Sequence, residues 1–157
     1  MVSRGAVLSS TKNTLTLGAV LLHYKNNLQS DDMKAHILKL AIEEAEKSTH
    51  SKARVGAVIY RKKAILSAEH NKAIAWSNRL APQFHKSTSL GIHAEAAAIL
   101  RARTDLRGAE ILVVRIGRTG VLRLAKPCAW CWLYLQYVGI KSVTYSNDEG
   151  GFTMLRI

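Results

Sequence analysis

Two short segments of the chain carry side chains that can bind one metal ion together. Residues 93–95 (His-Ala-Glu) and 127–131 (Pro-Cys-Ala-Trp-Cys) supply one imidazole, two thiols and one carboxylate. Three nitrogen and sulfur ligands with a fourth position left for water are typical of a catalytic zinc site, whereas a structural site closes its coordination with a fourth side chain. Both cysteines of the chain lie in the second segment, so a four-cysteine site is impossible. The pattern predicts an open zinc site with ligands His93, Cys128 and Cys131.

The carboxylate in the first segment has a different predicted role from the ligands. Glu95 lies two residues after His93, so the two side chains leave a helix in different directions. A carboxylate that is close to the metal but not bound to it can move protons for a water whose pKa zinc lowers to roughly 7. The alternative is a carboxylate that the helix dipole favours in a first turn. Because the cysteine motif accompanies it, we favour the role of proton shuttle for Glu95.

The cysteine motif also has two alternative interpretations. A Cys-x-x-Cys motif alone is typical of a redox pair or of half a zinc knuckle. A redox pair would leave His93 and Glu95 unexplained, and a knuckle would lack its second pair of ligands. No spacing recommends a fourth ligand among the remaining histidines, which are His23, His36, His50, His70 and His85. We therefore favour the open, catalytic site.

Length and composition indicate one globular domain, with an N-terminal extension at residues 1–30 and the domain at residues 31–157. The 157 residues suffice for a single core. Residues 1–30 contain no acid and many Ser, Thr and Asn, which loosely resembles an organellar transit peptide; an ordinary extension is the interpretation we favour. No apolar run approaches the ~20 residues of a membrane span, and paired cysteines without a secretory signal favour an intracellular, cytoplasmic protein.

The chain is strongly basic. Its formal net charge is +12, and most of the excess lies between residues 47 and 126. Such a field attracts phosphate groups, either of a nucleotide or of a polymer. The alternative is a solvated basic surface with no dedicated partner, so charge alone does not decide the substrate.

The predicted elements place both motifs at helix starts. Hydrophobic periodicity predicts helices at residues 31–45, 92–103 and 128–139, strands at 55–60, 64–69, 111–116, 121–124 and 142–145, and a short edge strand at 152–157. Helix N-termini carry free N–H groups and partial positive charge, which stabilise thiolates. Residues 71–91 read as a long binding loop that leads into His93. The order predicts an α/β domain with a central sheet of about five strands.

With these motifs the chain resembles the zinc-dependent cytidine and deoxycytidylate deaminase superfamily, whose signature is His-x-Glu followed by Pro-Cys-x-x-Cys. The resemblance covers about residues 33–157. It implies a cytidine deaminase-like three-layer α/β/α fold with a central mixed sheet, Zn²⁺ on His93, Cys128 and Cys131, and Glu95 as the catalytic proton shuttle. It further implies a substrate contact by Asn71 and assembly into a homo-oligomer. Lys126, just before the cysteine motif, departs from the family pattern; it could meet a phosphate or point to solvent.

The lead hypothesis is a hydrolase that converts the cytosine of cytidine, CMP or dCMP to uracil with release of ammonia. One alternative is a deaminase of cytosine or adenine in single-stranded DNA, RNA or tRNA, in which aromatic side chains would stack on bases; the candidates are Trp76, Phe84, His85 and Trp130. For each aromatic residue, packing in the core is the more common role. The non-enzymatic alternative is a silent nucleic-acid-binding zinc module, and Glu95 argues against it.

Overall fold

Three helices and six strands make up the part of the chain that the computed structural model describes, which is residues 32–50, 53–72 and 91–157. In chain order they are α1 (Asp32–Glu46), β1 (Arg54–Arg61), β2 (Ala64–His70), α2 (Ala94–Ala102), β3 (Glu110–Ile116), β4 (Leu122–Arg123), α3 (Ala129–Tyr137), β5 (Ser142–Ser146) and β6 (Phe152–Arg156). Every helix and strand predicted from the sequence is present. The main difference is β4, which has 2 residues instead of the predicted four.

The strands form one mixed sheet in the order β2-β1-β3-β5-β6, with the short β4 paired to β3. All neighbours are antiparallel except β3 and β5, which are parallel with Ile111 opposite Val143. A parallel pair needs a crossover connection, and here the crossover carries β4 and α3. The predicted α/β class and mixed sheet are confirmed, and the sheet has six strands rather than about five.

Alternating residues of the central strands build two separate cores. On β3, Ile111 and Val113 pack on one face of the sheet, and Leu112 and Val114 pack on the other. The first face is covered by α2 and α3, and the second is covered by α1. Side chains of a strand point alternately to opposite faces, so a strand buried on both faces reads as a continuous apolar run. The resulting order of layers is helix, sheet, helix.

Helix α1 lies unusually close to the sheet because one strand residue has no side chain. A Cβ atom placed on Gly56 would meet the backbone oxygen of Ala41 and would lie 2.6 Å from the backbone nitrogen of Ala45. Both alanines are 0% exposed. On the same helix, Leu38 is fully buried and Leu40 is half-buried. The close approach at Gly56 requires the small side chains of α1 to face β1, which sets the helix rotation.

Several sequence-based interpretations concern residues outside the described part of the chain. The predicted N-terminal extension at 1–30 lies there, and so does most of the predicted binding loop. The same holds for the aromatic candidates Trp76, Phe84 and His85. Among the described residues, no helix is both long and apolar enough to cross a membrane.

We expect Gly56→Ala to destabilise the fold by about 1–3 kcal/mol, because the added methyl group overlaps the backbone of α1 and forces the helix away from the sheet. Gly151→Ala is the matched control. A Cβ atom there makes ordinary contacts of 3.5 Å and more with the Asn147 side chain, so its stability should be unchanged or slightly increased. Chemical denaturation of both variants measures the difference. Equal stabilities would contradict the close approach.

Candidate metal centre and active site

The two motif segments meet at the N-termini of α2 and α3. His93 is the residue just before α2, with φ −71° and ψ 152°, and Cys128 is the residue just before α3, with φ −68° and ψ 166°. Both have extended backbones, as residues at this position usually do. Pro127 precedes the second helix, where a missing backbone N–H costs nothing. The helix starts therefore present His93 and Cys128 side by side, although they are far apart in the sequence.

The three predicted ligands have the spacing of a zinc site. His93 Nδ1 lies 3.5 Å from Cys128 Sγ and 3.4 Å from Cys131 Sγ. Bond lengths of roughly 2.3 Å to sulfur and 2.0–2.1 Å to nitrogen in a tetrahedron would hold such atoms about 3.5 Å apart. The donor set of one imidazole and two thiols is also the one that zinc prefers. The residues present therefore fit a zinc ion.

Hydrogen bonds among the three ligand side chains favour a thiolate at Cys128. Those from the Cys131 thiol and from His93 lower the pKa of Cys128 to about 3. The hydrogen bond between His93 and Cys128 raises the pKa of His93, and the separate one between Cys131 and Cys128, together with burial, raises the pKa of the Cys131 thiol. A divalent cation that binds these groups competes with protons for them.

Glu95 lies in the first turn of α2 and is almost completely enclosed. It is 5% exposed, and burial raises its pKa above the ordinary value for a carboxyl group. A carboxyl group with a raised pKa can both accept and release a proton near neutral pH. Buried carboxyl groups of this kind are more often found at active sites than in ordinary helix turns.

A cavity of about 240 Å³ opens beside the cluster. His93, Glu95 and Cys128 belong to its wall, and Asn71 faces them from the end of β2. The remaining wall residues come from β1, β3, the start of α2 and the connecting segments, and they are His50, Ala53, Val55, Lys72, Gly91, Ile92, Ala94, Arg115, Leu124, Ala125 and Lys126. This volume is somewhat below the roughly 300–1,000 Å³ of sites for drug-sized ligands. The cavity therefore suits one small molecule or one base.

Asn71, the predicted substrate contact, holds the structure around the cavity together. Its Oδ1 accepts hydrogen bonds from the Val55 N–H at 2.8 Å and from the Ser48 hydroxyl at 2.6 Å. Its Nδ2 donates to the Ala53 carbonyl at 2.7 Å. An amide has two acceptor sites and two donor hydrogens, so among the described residues one N–H of Asn71 has no acceptor and is available to a substrate. The residue has a structural role that the motif did not reveal.

Two residues that line the cavity were not predicted as site residues from the sequence. They are His50 and Arg115, and neither belongs to a motif. The sequence does contain a signal for Arg115, which is a charged residue near the end of the largely apolar strand β3, but it contains none for His50. Trp130, which was a candidate for base stacking, is exposed on α3 and is not among the residues that line this cavity.

A second group of possible ligand atoms is formed by Glu44, Glu69 and His70, within 4.8 Å of one another. Its members already have partners. Glu44 contacts His70 at 3.0 Å and Lys47 at 2.7 Å, and Glu69 contacts Lys72 at 2.9 Å. The contact between Glu44 and His70 connects α1 to β2, and both glutamates are paired with a lysine, so we interpret the group as a structural network.

One family model matches most of the chain. The family model described as the cytidine and deoxycytidylate deaminase zinc-binding region matches residues 31–147, which include both segments and most of the described elements. A comparison with curated proteins finds none that matches significantly.

Solved structures give the same fold. A dCMP deaminase from the cyanophage S-TIM5 in apo form has a TM-score of 0.57 at 21% identity, over 77% of this chain and 88% of that chain. The same enzyme in complex with dCMP and dUMP has a TM-score of 0.51 at 17% identity, over 75% and 83%. A cytidine deaminase from Burkholderia pseudomallei has a TM-score of 0.55 at 18% identity, over 77% and 90%. At these identities the similarity shows the fold.

We expect the purified protein to contain about one zinc ion per chain, as a site with three protein ligands should. His93→Gln and Cys131→Ser each remove a ligand and should lower the zinc content to a small fraction of the wild-type value. His36→Gln, which replaces an exposed histidine on α1, should leave it unchanged. Elemental analysis of the purified variants measures the content. A His93→Gln variant with full zinc occupancy would remove His93 from the ligand set.

We expect Asn71→Ala to lower the free energy of unfolding by about 2–4 kcal/mol, because it leaves buried backbone groups of Ala53 and Val55 without partners. Gln136→Ala, which removes an exposed amide on α3, should change stability by less than about 0.5 kcal/mol. Urea denaturation of both variants gives the values. If Asn71→Ala kept full stability and lost only activity, Asn71 would be a substrate contact without a structural role.

Proposed function

The chain belongs to the cytidine and deoxycytidylate deaminase zinc-binding family, and we propose that it is a zinc-dependent hydrolase that converts a cytosine base to uracil with release of ammonia. We take the substrate to be a cytidine, CMP or dCMP type molecule and the deaminase domain to be residues 31–157. One observation carries the proposal: the buried carboxyl group of Glu95 shares a cavity wall with His93 and Cys128. The similar solved structures, which are a dCMP deaminase and a cytidine deaminase, support it.

In this proposal three residues bind the metal and a fourth residue carries protons. His93, Cys128 and Cys131 would hold a zinc ion, which would supply a water whose pKa is lowered to roughly 7. His93 and Cys128 each precede the N-terminus of a helix. The partial positive charge of these helix ends stabilises the thiolates.

Glu95 moves the protons of the reaction. Water adds its oxygen to the ring carbon that bears the amino group, and the Glu95 carboxylate accepts the proton that the water loses. Glu95 donates this proton to the ring nitrogen, then accepts the second proton from the hydroxyl group now on the ring carbon and passes it to the amino group, so that the carbon–nitrogen bond breaks, the ring carbonyl forms and ammonia leaves. The raised pKa of Glu95 suits this role, because the group must take up a proton and release it within one turnover.

Two other functions compete with this one. A deaminase of single-stranded DNA or RNA would use the net charge of +12 to bind the polymer backbone, and a cavity for one base is compatible with it. A silent zinc module would need no buried proton carrier, so Glu95 argues against it. Self-association, which the resemblance implies, stays a prediction. Exposed apolar side chains on α3, at Leu133 and Tyr137, are the surface on which we would look for it.

We expect Glu95→Gln to retain zinc and the fold but to lose deamination by a factor of about 10²–10⁴, the usual contribution of a general acid–base residue. Glu149→Gln, in the exposed turn before β6, should retain full activity. Release of ammonia and the product mass measure the reaction, and elemental analysis with circular dichroism checks metal and fold. Wild-type activity in Glu95→Gln would remove this residue from the mechanism.

The substrate class is tested with a panel of cytidine, deoxycytidine, CMP, dCMP, single-stranded DNA and tRNA, followed by product mass. Turnover of the free nucleosides or nucleotides without turnover of the polymers supports the proposal. Turnover of the polymers alone would establish the nucleic-acid deaminase instead. Absence of turnover across the panel with zinc-loaded protein would contradict the proposed function.

A further inference from the structure

We propose that Arg115 and Lys126 form an anion subsite in the wall of the cavity, and that this subsite binds the 5′-phosphate of the substrate. The substrate would accordingly be a cytosine nucleotide rather than a nucleoside. The inference rests on the proposed deaminase function and adds a specificity-determining pair to it. Neither residue belongs to the zinc-binding signature.

Arg115 occupies a strand position that the fold otherwise fills with core residues. It follows Ile111 and Val113 at alternate positions of β3, and both of these are 0% exposed in the core beneath α2 and α3. Alternate residues of a strand share a face, so Arg115 continues this apolar row to the point where the cavity begins. A half-buried arginine at such a position has a charged group to satisfy.

Within the described part of the chain, no carboxylate or carbonyl group contacts the side chain of Arg115, whereas its backbone N–H donates to Ser146 Oγ. Guanidinium stays charged at all relevant pH values, so it cannot relieve the cost of burial by losing a proton. Its direct cross-strand neighbour is another arginine, Arg123 of β4. Like charges directly opposite one another destabilise a sheet. The arrangement costs stability unless an anion binds.

The other charged residues of the wall leave the positive charge uncompensated. Lys72 is paired with Glu69 at 2.9 Å, so it is already neutralised. Lys126 is exposed, precedes Pro127 directly, and has no ion pair among the described residues. The acidic side chain that lines the cavity is Glu95, which is 5% exposed and lies in the first turn of α2. The wall thus offers two unpaired cations to a ligand.

A phosphate monoester matches these groups chemically. Arginine presents parallel N–H donors that bind two phosphate oxygens at once, and lysine adds a point charge. The cavity also contains the site at which the base would react, and its volume suits a single nucleotide. A phosphodiester of a nucleic acid also presents phosphate oxygens, with one charge fewer. The test must therefore distinguish a nucleotide from a nucleic acid as the source of the phosphate.

The test compares dCMP with deoxycytidine, and CMP with cytidine, as substrates of the zinc-loaded full chain. The wild type should have a kcat/KM at least about tenfold higher for each nucleotide than for its nucleoside. Arg115→Gln removes the charge at similar length and should lower kcat/KM for the nucleotides by about ten- to a hundredfold. It should leave kcat/KM for the nucleosides within about twofold. Arg103→Gln, at the exposed far end of α2, should change neither value.

A second measurement is independent of turnover. Calorimetric titration with dUMP and with deoxyuridine should give the same preference for the phosphorylated molecule, and Arg115→Gln and Lys126→Gln should each weaken it. An unchanged ratio of nucleotide to nucleoside in Arg115→Gln, with wild-type activity intact, would overturn the inference while leaving the deaminase function standing. A short single-stranded oligonucleotide that binds in competition with dUMP and is deaminated faster than dCMP would assign the subsite to a polymer backbone. A wild type without deaminase activity would instead count against the proposed function.

Discussion

The site depends on one geometric constraint, which is that the N-termini of two helices from distant parts of the chain meet above the same face of the sheet. His93 lies before α2, and Cys128 lies before α3, yet their ligand atoms are 3.5 Å apart. The two helices are placed by one apolar core that includes Ala98 of α2 and Leu135 of α3. Packing that holds the helices on the sheet therefore also sets the ligand spacing, and the metal need not impose that spacing on a loose chain.

The small residues of the fold serve this constraint. The alanines of α2 are buried and bring that helix close to β1 and β2, and the absence of a side chain at Gly56 brings α1 equally close on the opposite face. Protein interiors are packed so densely that adding or removing one methyl group changes the stability of the fold. Helices packed closely on both faces hold the sheet, and therefore the ends of its strands, in place. Residues at those strand ends line the cavity.

Electrostatics divides the cavity into two regions of different character. One contains the cysteine–histidine cluster and Glu95, where burial and hydrogen bonds shift several pKa values. The other contains the basic side chains of Arg115 and Lys126. A charged residue at a core-facing strand position conflicts with the local apolar pattern, and such conflicts concentrate where a protein binds or reacts. Part of the basic composition of the chain thus has a specific proposed role at this wall, which is anion binding. The net charge alone does not reveal that role.

The sequence by itself determined the donor types, the helices and strands, and the α/β class, because periodicity and the signature motif are local properties of the chain. It also predicted that His93 and Cys128 lie at helix starts, since Pro127 and the onset of helical periodicity mark those positions. Only the tertiary structure decided which strands are parallel, how closely α1 approaches Gly56, and that the amide of Asn71 holds backbone groups of the β1 segment. It also decided that Arg115 faces the cavity. These features depend on contacts between residues distant in the chain, and no local pattern encodes the neighbour that a side chain will meet.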